Sequence, residues 1–410
     1  MRTAALHFAS LLLAGVLTSA VAQGARAVDE QNFPQIEAGR RIATEGDCAG
    51  CHTLDEKKPF AGGVVLQTPF GALVGSNITP DPETGIGTWS FADFKNALHT
   101  GRGKDGKRLY PAMPYPAFTK MTDRDVAALW VYMRSVSPIR NRIESNQLPF
   151  PFSIRLSLLG WNLLNFSEGR FKPDPSRSPE WNRGAYLVEG PGHCGTCHTA
   201  KTTTGADDTS KPLRGGVLQG WYAPDITGDN RKGLGGWSDD EIVAYLKTGA
   251  NGRTVASGPM IEVVQKSTSN MPETDLRAMA AYLKQVRAPA SSATPVAAND
   301  PGMVAGKAIY KDSCAACHKD DGTGQPQLFP RLAGSAVVQS DDPATLLRVV
   351  MAGTQGAYTK GAPTTPAMPS FAWRLNDQQV ADVLTYVRNA WGNAAAPVDS
   401  TRAKDSRGAP

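Results

Sequence analysis

The residues of this chain that could do chemistry are concentrated in a five-residue pattern, Cys-x-x-Cys-His, which occurs three times, at residues 48–52, 194–198 and 314–318. At this spacing two thiols can add to the two vinyl groups of one haem, while the adjacent imidazole ligates the iron. The pattern therefore predicts three covalently bound haem c groups. The predicted attachment residues are Cys48, Cys51, Cys194, Cys197, Cys314 and Cys317, and the predicted first axial ligands are His52, His198 and His318.

Two other uses of cysteine fit the composition less well. Six cysteines could form disulfides, and Cys-x-x-Cys pairs could hold zinc. Neither use requires a histidine directly after every second cysteine. A zinc site would also need further ligands, and the histidines outside the pattern are His7, His99 and His193. Haem attachment is the interpretation that accounts for every cysteine.

A second axial ligand is predicted from methionines that recur behind the motif histidines. Met113 and Met368 each lie in the sequence Pro-Ala-Met-Pro, and Met260 follows Ser-Gly-Pro. These methionines come 61, 50 and 62 residues after the histidines of their own copies. A soft thioether sulfur would complete His/Met coordination of the iron. A methionine can also be a core residue, which is the interpretation for Met121, Met133, Met271, Met279 and Met351, with Met271 as the rival to Met260.

Each copy is followed by a proline and then glycine, and the three prolines are Pro59, Pro212 and Pro330. We expect each proline carbonyl to accept a hydrogen bond from Nδ1 of the haem histidine, which fixes the orientation of the ring. The alternative is that these prolines only mark turns. His99 and His193 are expected at surface or loop positions and not as ligands. His99 falls in the last turn of a helix, where a partly charged imidazole is favourable.

Three segments of helical character surround each copy. The first precedes the copy and contains a glycine that could let the helix pack closely on another, namely Gly39, Gly184 or Gly306. The middle segment ends at a glycine, which suits a helix C-terminus. The last segment has apolar residues at helical spacing and a tyrosine at the equivalent place, Tyr132, Tyr282 or Tyr386. We expect the first and last helices of each unit to pair.

The N-terminus has the pattern of a secretory signal peptide. Arg2 precedes an apolar run that ends at Ala22, and small residues suitable for cleavage follow. The run is too short to span a bilayer. The formal charge of +5 falls to +4 without residues 1–22. Haem propionates would lower it further, so the basic balance does not indicate nucleic acid as a partner.

The connections between the units differ in character. Residues 148–166 form an apolar stretch, but Arg155, prolines and asparagines interrupt it too often for a membrane span. It is either a linker helix packed between two units or a docking surface for the membrane or a partner subunit. Residues 288–299 are rich in Ala, Pro and Ser and predict a flexible tether. The residues after Trp391 are predicted to be disordered.

With these motifs the chain resembles the triheme cytochrome c subunits of membrane-associated bacterial dehydrogenases, the family of the cytochrome subunits of alcohol, gluconate, sorbitol and fructose dehydrogenases. The resemblance covers almost the whole mature chain. It rests on the three haem motifs, on Leu-Tyr-Pro-Ala-Met-Pro-Tyr at residues 109–115, on Trp-Asn-Arg-Gly-Ala-Tyr-Leu at residues 181–187 and on Gly-His-Cys at residues 192–194.

The resemblance implies partners as well as cofactors. It implies a catalytic subunit, flavin- or quinone-dependent, that oxidises an alcohol, a sugar or a sugar acid, and a small third subunit. Electrons would pass through three haems to ubiquinone. The chain would lie on the periplasmic side of the bacterial inner membrane, attached peripherally to its surface.

The expected fold class is all-α, with three tandem cytochrome c-like domains of class I type. The predicted division of the chain is a signal peptide at residues 1–22 (with cleavage after Ala27 as the alternative), domain 1 at residues 31–144, an apolar linker or docking segment at residues 145–176, domain 2 at residues 177–288, a flexible linker at residues 289–300, domain 3 at residues 301–392 and a disordered tail at residues 393–410.

An electron-transfer subunit is the favoured function. The sequence has no pattern typical of a dinucleotide fold, a nucleophile elbow or a paired-carboxylate site, so substrate oxidation is expected on another polypeptide. One alternative is a free-standing periplasmic or oxidase-associated cytochrome, which would not co-purify with a dehydrogenase. Another is a peroxidase-type haem enzyme, which needs an open axial position on one haem. The three predicted methionine ligands argue against such a position.

Overall fold

The computed structural model describes residues 32–407, and the predicted signal peptide lies outside them. The described chain is organised as three helical units, named here unit 1 (residues 32–147), unit 2 (residues 174–287) and unit 3 (residues 300–407). A linker at residues 148–173 joins units 1 and 2, and residues 288–299 join units 2 and 3. Each unit contains one Cys-x-x-Cys-His copy.

The first, motif, middle and last helices follow the same order in each unit, and the strands and additional helices differ between the units. Unit 1 and the linker contain α1 (Phe33–Glu45), α2 (Cys48–His52), β1 (Val65–Thr68), β2 (Gly71–Val74), α3 (Phe91–Thr100), α4 (Tyr115–Phe118), α5 (Asp123–Ser135), β3 (Asn146–Gln147) and α6 (Leu158–Asn165). Unit 2 contains α7 (Pro179–Glu189), α8 (Gly195–His198), β4 (Arg214–Leu218), β5 (Trp221–Asp225), α9 (Asp239–Thr248), α10 (Met260–Lys266) and α11 (Glu273–Leu283). Unit 3 contains α12 (Pro301–Ser313), α13 (Ala315–His318), α14 (Ala344–Ala352), β6 (Thr354–Gln355), β7 (Ala367–Met368), α15 (Asp377–Asn389) and α16 (Ser400–Arg407). Short 3₁₀ turns occupy Lys104–Gly106, Arg155–Ser157 and Thr268–Asn270.

The first and last long helices pack together in every unit, α1 with α5, α7 with α11 and α12 with α15. The closest approach is at a glycine of the first helix. A Cβ atom added there would lie 1.9–2.1 Å from a backbone carbonyl oxygen of the last helix, and beside the Cβ of a tyrosine. Only glycine permits this distance. The predicted pairing is therefore confirmed, and the pairs in register are Gly39 with Tyr132, Gly184 with Tyr282 and Gly306 with Tyr386.

The ends of the middle helices agree with the sequence pattern. Ser90 and Ser238 cap α3 and α9, and each forms a capping box with an acidic residue three positions on. A glycine with positive φ, a conformation in which a side chain would be strained, ends each middle helix. The three glycines are Gly101, Gly249 and Gly353, with φ of 63°, 79° and 77°.

Each unit is built around its own apolar core. The cores contain residues from the first, middle and last helices, so the pairing helices are held together by the middle one. Representative members are Ile42, Leu98 and Leu129 in unit 1, Leu187, Leu246 and Leu276 in unit 2, and Tyr310, Leu347 and Leu384 in unit 3.

The expectation of an all-α fold is correct only in part. Helices predominate, but three small antiparallel sheets are present in the described residues, with strand orders β1-β2-β3, β4-β5 and β6-β7. The hairpins β1-β2 and β4-β5 follow the haem motifs of units 1 and 2. Their strands are four or five residues long, too short for period-two alternation to distinguish them from loops.

The linker between units 1 and 2 is both packed and exposed. Leu158 is buried, and Trp161 donates its indole N–H to the carbonyl of Thr204 in unit 2 at 2.9 Å. In contrast, Leu163 and Leu164 are 86% and 79% exposed. The linker therefore combines features of both sequence interpretations. In the described part of the chain, no helix has the length and apolar character needed to cross a bilayer.

Two predictions about irregular segments need correction. The segment 288–299 lacks helix and strand, but Ser291 hydrogen bonds to Asp229 of unit 2 and the Val296 N–H donates to Asn389 of unit 3, so it is fixed at two points. The prediction of a disordered tail is wrong up to residue 407. Ala394, Ala395, Val398 and Ala403 are buried, and α16 packs on α14 and α15. The composition of the tail is mostly polar, so these few small apolar side chains do not indicate a packed segment in the sequence.

Candidate haem-binding sites

The predicted haem-attachment residues lie together on short helices. The motifs fall on α2, α8 and α13, directly after the first long helix of each unit, and all six cysteines carry free thiols. Burial raises the pKa of the thiols of Cys48, Cys51 and Cys194 to about 12, and it raises the pKa of Cys314 to about 11. All six sulfurs are unpaired, as thiols that are later alkylated must be.

The three motif histidines have the same hydrogen bond in different sequence contexts. Nδ1 of His52 lies 2.6 Å from the carbonyl oxygen of Ser76, and Nδ1 of His198 lies 2.7 Å from that of Pro224. Nδ1 of His318 lies 2.9 Å from the carbonyl oxygen of Pro330. The predicted proline is therefore the acceptor in unit 3, whereas the predictions for Pro59 and Pro212 are wrong.

Pro59 and Pro212 instead precede a tight turn. The next residues, Phe60 and Leu213, both have φ of 61°. Their N–H groups donate to the side-chain oxygens of the threonines that follow the motifs, at 2.9 and 3.0 Å. The turn interpretation, which the sequence left open as the alternative, is the correct one at these two prolines.

The hairpins explain why the carbonyl that accepts the histidine hydrogen bond in units 1 and 2 is not that of the predicted proline. The acceptor carbonyl comes 24 and 26 residues after the histidine in units 1 and 2, but 12 residues after it in unit 3. Hairpins β1-β2 and β4-β5 are inserted in the longer intervals. A shared Ile-Thr pair, at residues 78–79 and 226–227, follows the displaced acceptors. Aligning that pair, instead of the prolines, would have found Ser76 and Pro224.

The histidine environment suits iron ligation. Burial lowers the pKa of His52, His198 and His318, so the neutral imidazole is favoured. A neutral ring that donates Nδ1–H to a carbonyl keeps the lone pair on Nε2. This is the protonation state that a metal-bound histidine needs, and the hydrogen bond fixes the ring plane. The residues present therefore fit a haem in all three units.

The methionines divide into two groups by burial. Of the nine in residues 32–407, the predicted ligands Met113, Met260 and Met368 are half-buried. The other six are core residues that are 1–6% exposed, and they are Met121, Met133, Met271, Met279, Met303 and Met351. Met271 thus belongs to the core of unit 2, which favours Met260 as the ligand.

Two of the predicted methionines border the same core as their motif cysteine. Met113 and Cys48 both contact the core of unit 1, and Met260 and Cys194 both contact the core of unit 2. Met368 lies in β7, where its backbone pairs with Thr354. The three methionines thus occupy different local structures: a loop before α4, the first turn of α10 and a short strand.

The histidines outside the motifs in the described residues are His99 and His193. His99 is 1% exposed, and neither ring nitrogen has a hydrogen-bond partner. Burial lowers the pKa of His99 to about 4. The expectation of a surface position with a partly charged ring is therefore wrong. Nε2 of His193 lies 3.3 Å from the carbonyl oxygen of Gly46, and its ring packs edge-on against Phe118.

The haem-attachment segments of units 1 and 2 meet at one interface. His193 directly precedes the second motif and contacts unit 1, as described above. A Cβ atom on Gly50, inside the first motif, would lie 2.8 Å from Oε1 of Glu262 on α10. The attachment points predicted for the first two haems are thus neighbours.

A buried charge cluster lies beside this interface. Nη2 of Arg183 is 2.8 Å from Oε1 of Glu45 and 2.8 Å from Oδ2 of Asp275. Glu45 is 5% exposed, and its second oxygen has no partner. Burial raises the pKa of Glu45 to about 7, against the opposing effect of Arg183. Burial, reinforced by Glu262, also raises the pKa of Asp47 to about 8.

Unit 2 also contacts unit 3 close to the third motif. The Thr345 hydroxyl accepts from the Tyr222 N–H at 3.0 Å and donates to its carbonyl at 2.8 Å. The Arg331 N–H donates to the carbonyl of Arg253 at 2.9 Å. Arg331 directly follows the proline that binds His318. Unit 2 therefore contacts both of the other units through residues close to haem motifs.

Comparison with known proteins agrees with this geometry. The cytochrome c family model matches residues 36–137 and 303–391. The chain is 40% identical over 396 residues to the gluconate 2-dehydrogenase cytochrome c subunit of Pantoea cypripedii, which covers 90% of this chain and 89% of the relative. It is 38% identical to the cytochrome c subunit of the alcohol dehydrogenase (quinone) of Gluconobacter oxydans, over 94% of this chain and 84% of the relative. It is 36% identical to the fructose dehydrogenase cytochrome subunit of Gluconobacter japonicus, over 91% and 83%.

Proposed function

The chain belongs to the family of dehydrogenase cytochrome c subunits, and from that premise we propose that it carries three haem c groups in three tandem cytochrome c-like domains and conducts electrons from a dehydrogenase to ubiquinone. The observation that carries the proposal is the threefold repetition of one arrangement. In each unit a histidine after a free cysteine pair directs Nδ1 at a backbone carbonyl, at 2.6–2.9 Å.

The residues that would hold each haem are those predicted from the sequence. The cysteine pairs would provide the thioether attachments, and His52, His198 and His318 the first axial ligand. Met113, Met260 and Met368 would provide the second, and when bound each haem would supply a one-electron carrier. The surrounding chain fixes the orientation of the histidines through the carbonyls of Ser76, Pro224 and Pro330.

The partners follow from the printed names of the relatives and from the linker. Those relatives are cytochrome subunits of gluconate, alcohol and fructose dehydrogenases, so the donor here would be a catalytic subunit for an alcohol, sugar or sugar acid. The family resemblance also implies a small third subunit. The alcohol dehydrogenase relative is named for a quinone, which supports ubiquinone as acceptor. The exposed leucines of α6 support peripheral attachment to a membrane surface. The predicted signal peptide supports the periplasmic side of the inner membrane.

Rapid mixing tests the proposal. The chain is purified with its bound catalytic subunit, and ethanol, gluconate, sorbitol and fructose are added separately while the haem absorbance is followed. One of these substrate classes should reduce all three haems within the turnover time of the complex. The chain purified without the catalytic subunit should not be reduced by any of them.

Two outcomes would contradict the proposal. The first is haem reduction by substrate in the isolated chain, which would place substrate oxidation on this polypeptide. The second is a high-spin haem that reacts with hydrogen peroxide at catalytic rates, which would indicate a peroxidase-type enzyme.

A further inference from the structure

A groove lies between the outer face of α3 and the linker helix α6. Its volume is about 500 Å³, within the range of small-molecule sites. One side is apolar, from Leu159, Leu163 and Phe166 of the linker, and the other is polar, from α3 and the loop that follows it. The groove does not coincide with any predicted haem ligand.

Two arginines face this groove from opposite strands of one loop. Arg102 and Arg108 form an antiparallel β-bridge, which places their side chains on the same side of the loop. Like charges directly opposite each other are destabilising. Within residues 32–407 neither guanidinium forms an ion pair, since the neighbouring carboxylate of Glu168 is bonded to Arg170. The pair therefore has donors available for a ligand with electron-rich oxygens.

The groove is connected to the segment of the predicted axial ligand Met113. The Tyr115 N–H donates to the Met113 carbonyl at 2.7 Å. The buried Tyr115 hydroxyl donates to Oδ1 of Asn162 at 2.6 Å, and Asn162 lines the groove. The Arg155 guanidinium also donates to the carbonyl of Arg108 at 2.5 Å. The groove is thus linked to the backbone of Met113 through Asn162 and the buried Tyr115.

The apolar side of the groove continues onto the exposed surface of the linker. Leu163 lines the groove and is 86% exposed, and Leu164 and Leu156 of the same linker are 79% and 69% exposed. A ligand with a polar ring and a long apolar tail would place the ring between the arginines and the tail along these leucines.

We propose that this groove binds the ring of an isoprenoid quinone, with Arg102 and Arg108 donating hydrogen bonds to the quinone oxygens and α6 contacting the isoprenoid tail. The inference rests on the proposed function, in which ubiquinone is the acceptor, and it assigns that acceptor a site. Reduction of one quinone to quinol needs two electrons and two protons. The proposed haems would supply the electrons one at a time, and solvent at the open side of the groove would supply the protons.

The test uses the complex with its dehydrogenase and the variant Arg102→Gln/Arg108→Gln. Glutamine retains a polar side chain but removes the charged donors. Arg124→Gln on α5 is the matched control, because Arg124 is exposed and does not line the groove. Loss of charged hydrogen bonds should raise KM for decylubiquinone about ten-fold or more. A photoreactive azidoquinone should label α6 in the parent and the control but not in the double variant, as located by mass spectrometry.

The readouts separate this inference from the proposed function. Substrate should still reduce the haems of the double variant, and failure of haem reduction in the parent complex would defeat the proposed function instead. Unchanged KM, or azidoquinone labelling at another segment, would overturn the groove assignment. So would a changed midpoint potential of one haem with unchanged KM, because the arginines would then act on haem propionates. Weaker binding to phosphatidylglycerol vesicles with unchanged KM would also overturn it, in favour of a lipid headgroup.

Discussion

At the scale of single residues, the assignment of Met260 is the point that the structure sharpens most. The sequence left Met271 as a rival, and burial separates the two, since Met271 is 4% exposed within the core of unit 2. Met260→His should therefore lower the potential of one haem, since methionine raises haem potentials relative to histidine. A drop on the order of 0.2 V, within a total axial-ligand range of about 0.8 V, corresponds to about three decades in the electron-transfer equilibrium. Spectroelectrochemical titration of the three haems measures it.

The matched control is Met271→Leu, which preserves the core volume. It should leave all three potentials unchanged. A shift of one potential in Met271→Leu, together with none in Met260→His, would show that Met271 is the ligand.

A second residue-scale prediction concerns Glu45. Its pKa of about 7 in the folded chain lies above the ordinary value of 4.5, so the folded state binds this proton more tightly than the unfolded state does. Stability is therefore lost as the pH rises from about 4.5 to 7, by up to about 3 kcal/mol at 1.36 kcal/mol per pKa unit. The groups facing Glu45 are Arg183, Asp275 and Asp125. Glu45→Gln should remove this loss and leave Arg183 paired with Asp275.

The measurement is the difference in Tm of the haem-loaded chain between pH 5 and pH 8. The difference should be smaller in Glu45→Gln than in the parent. Glu83→Gln, at an exposed glutamate paired with Arg140, is the control and should behave like the parent. Equal pH dependence in all three proteins would contradict the assignment.

The sequence predicts the side chains that would attach the haems, but it does not predict which backbone carbonyls bind the histidines. Cysteine and histidine at fixed spacing identify haem attachment because few other chemistries need that combination. The acceptor of the histidine hydrogen bond is a carbonyl, which every residue has, so proline recurrence was a weak guide. The prediction succeeded at Pro330, where no hairpin intervenes, and failed at Pro59 and Pro212, where one does.

At the scale of elements, a single added Cβ atom would disturb the contact between the first and last helices of a unit. In Gly184→Ala the added Cβ would lie 1.9 Å from the Ala278 carbonyl oxygen, so α7 and α11 must separate. Overpacking of this kind costs about 3 kcal/mol. Thermal unfolding followed by circular dichroism should show a lower Tm for unit 2. Gly160→Ala is the control, because Gly160 lies in α6 with no atom within 4 Å of the added Cβ. Its Tm should be unchanged or higher by the helix propensity of alanine, and equal Tm in both variants would contradict the account.

Helices were predictable as elements and hairpins were not. Long helices repeat their apolar residues every three to four positions. The middle helices of units 1 and 2 also begin at serine caps and end at glycines, so their bounds follow from local rules. The hairpins after the first two motifs are short and glycine-rich, and their pairing depends on contacts with the rest of the unit. The sequence of the tail is typical of a disordered segment because α16 is polar and Ala403 is its buried residue.

At the scale of the whole molecule, the exposed leucines of the linker predict how the chain meets a membrane. Replacing Leu156, Leu163 and Leu164 with Ser should shift the mature chain from phospholipid vesicles into solution, since each leucine withdrawn from water contributes roughly 2 kcal/mol. Vesicle flotation measures the bound fraction, and haem absorbance confirms that the units remain intact. Serine at three scattered exposed positions, Leu54, Val304 and Leu328, is the control and should leave binding unchanged. Loss of binding in the control alone would place the membrane contact elsewhere.

The central claim is that the three units are three equivalent haem-binding domains on one polypeptide. A pyridine haemochrome measurement on the mature chain, after denaturing extraction of non-covalent haem and with protein quantified by amino-acid analysis, tests it most directly. The account predicts three covalently bound haems per chain, because each unit has a free cysteine pair and an oriented, neutral histidine. A count of two or fewer in fully matured protein would contradict it.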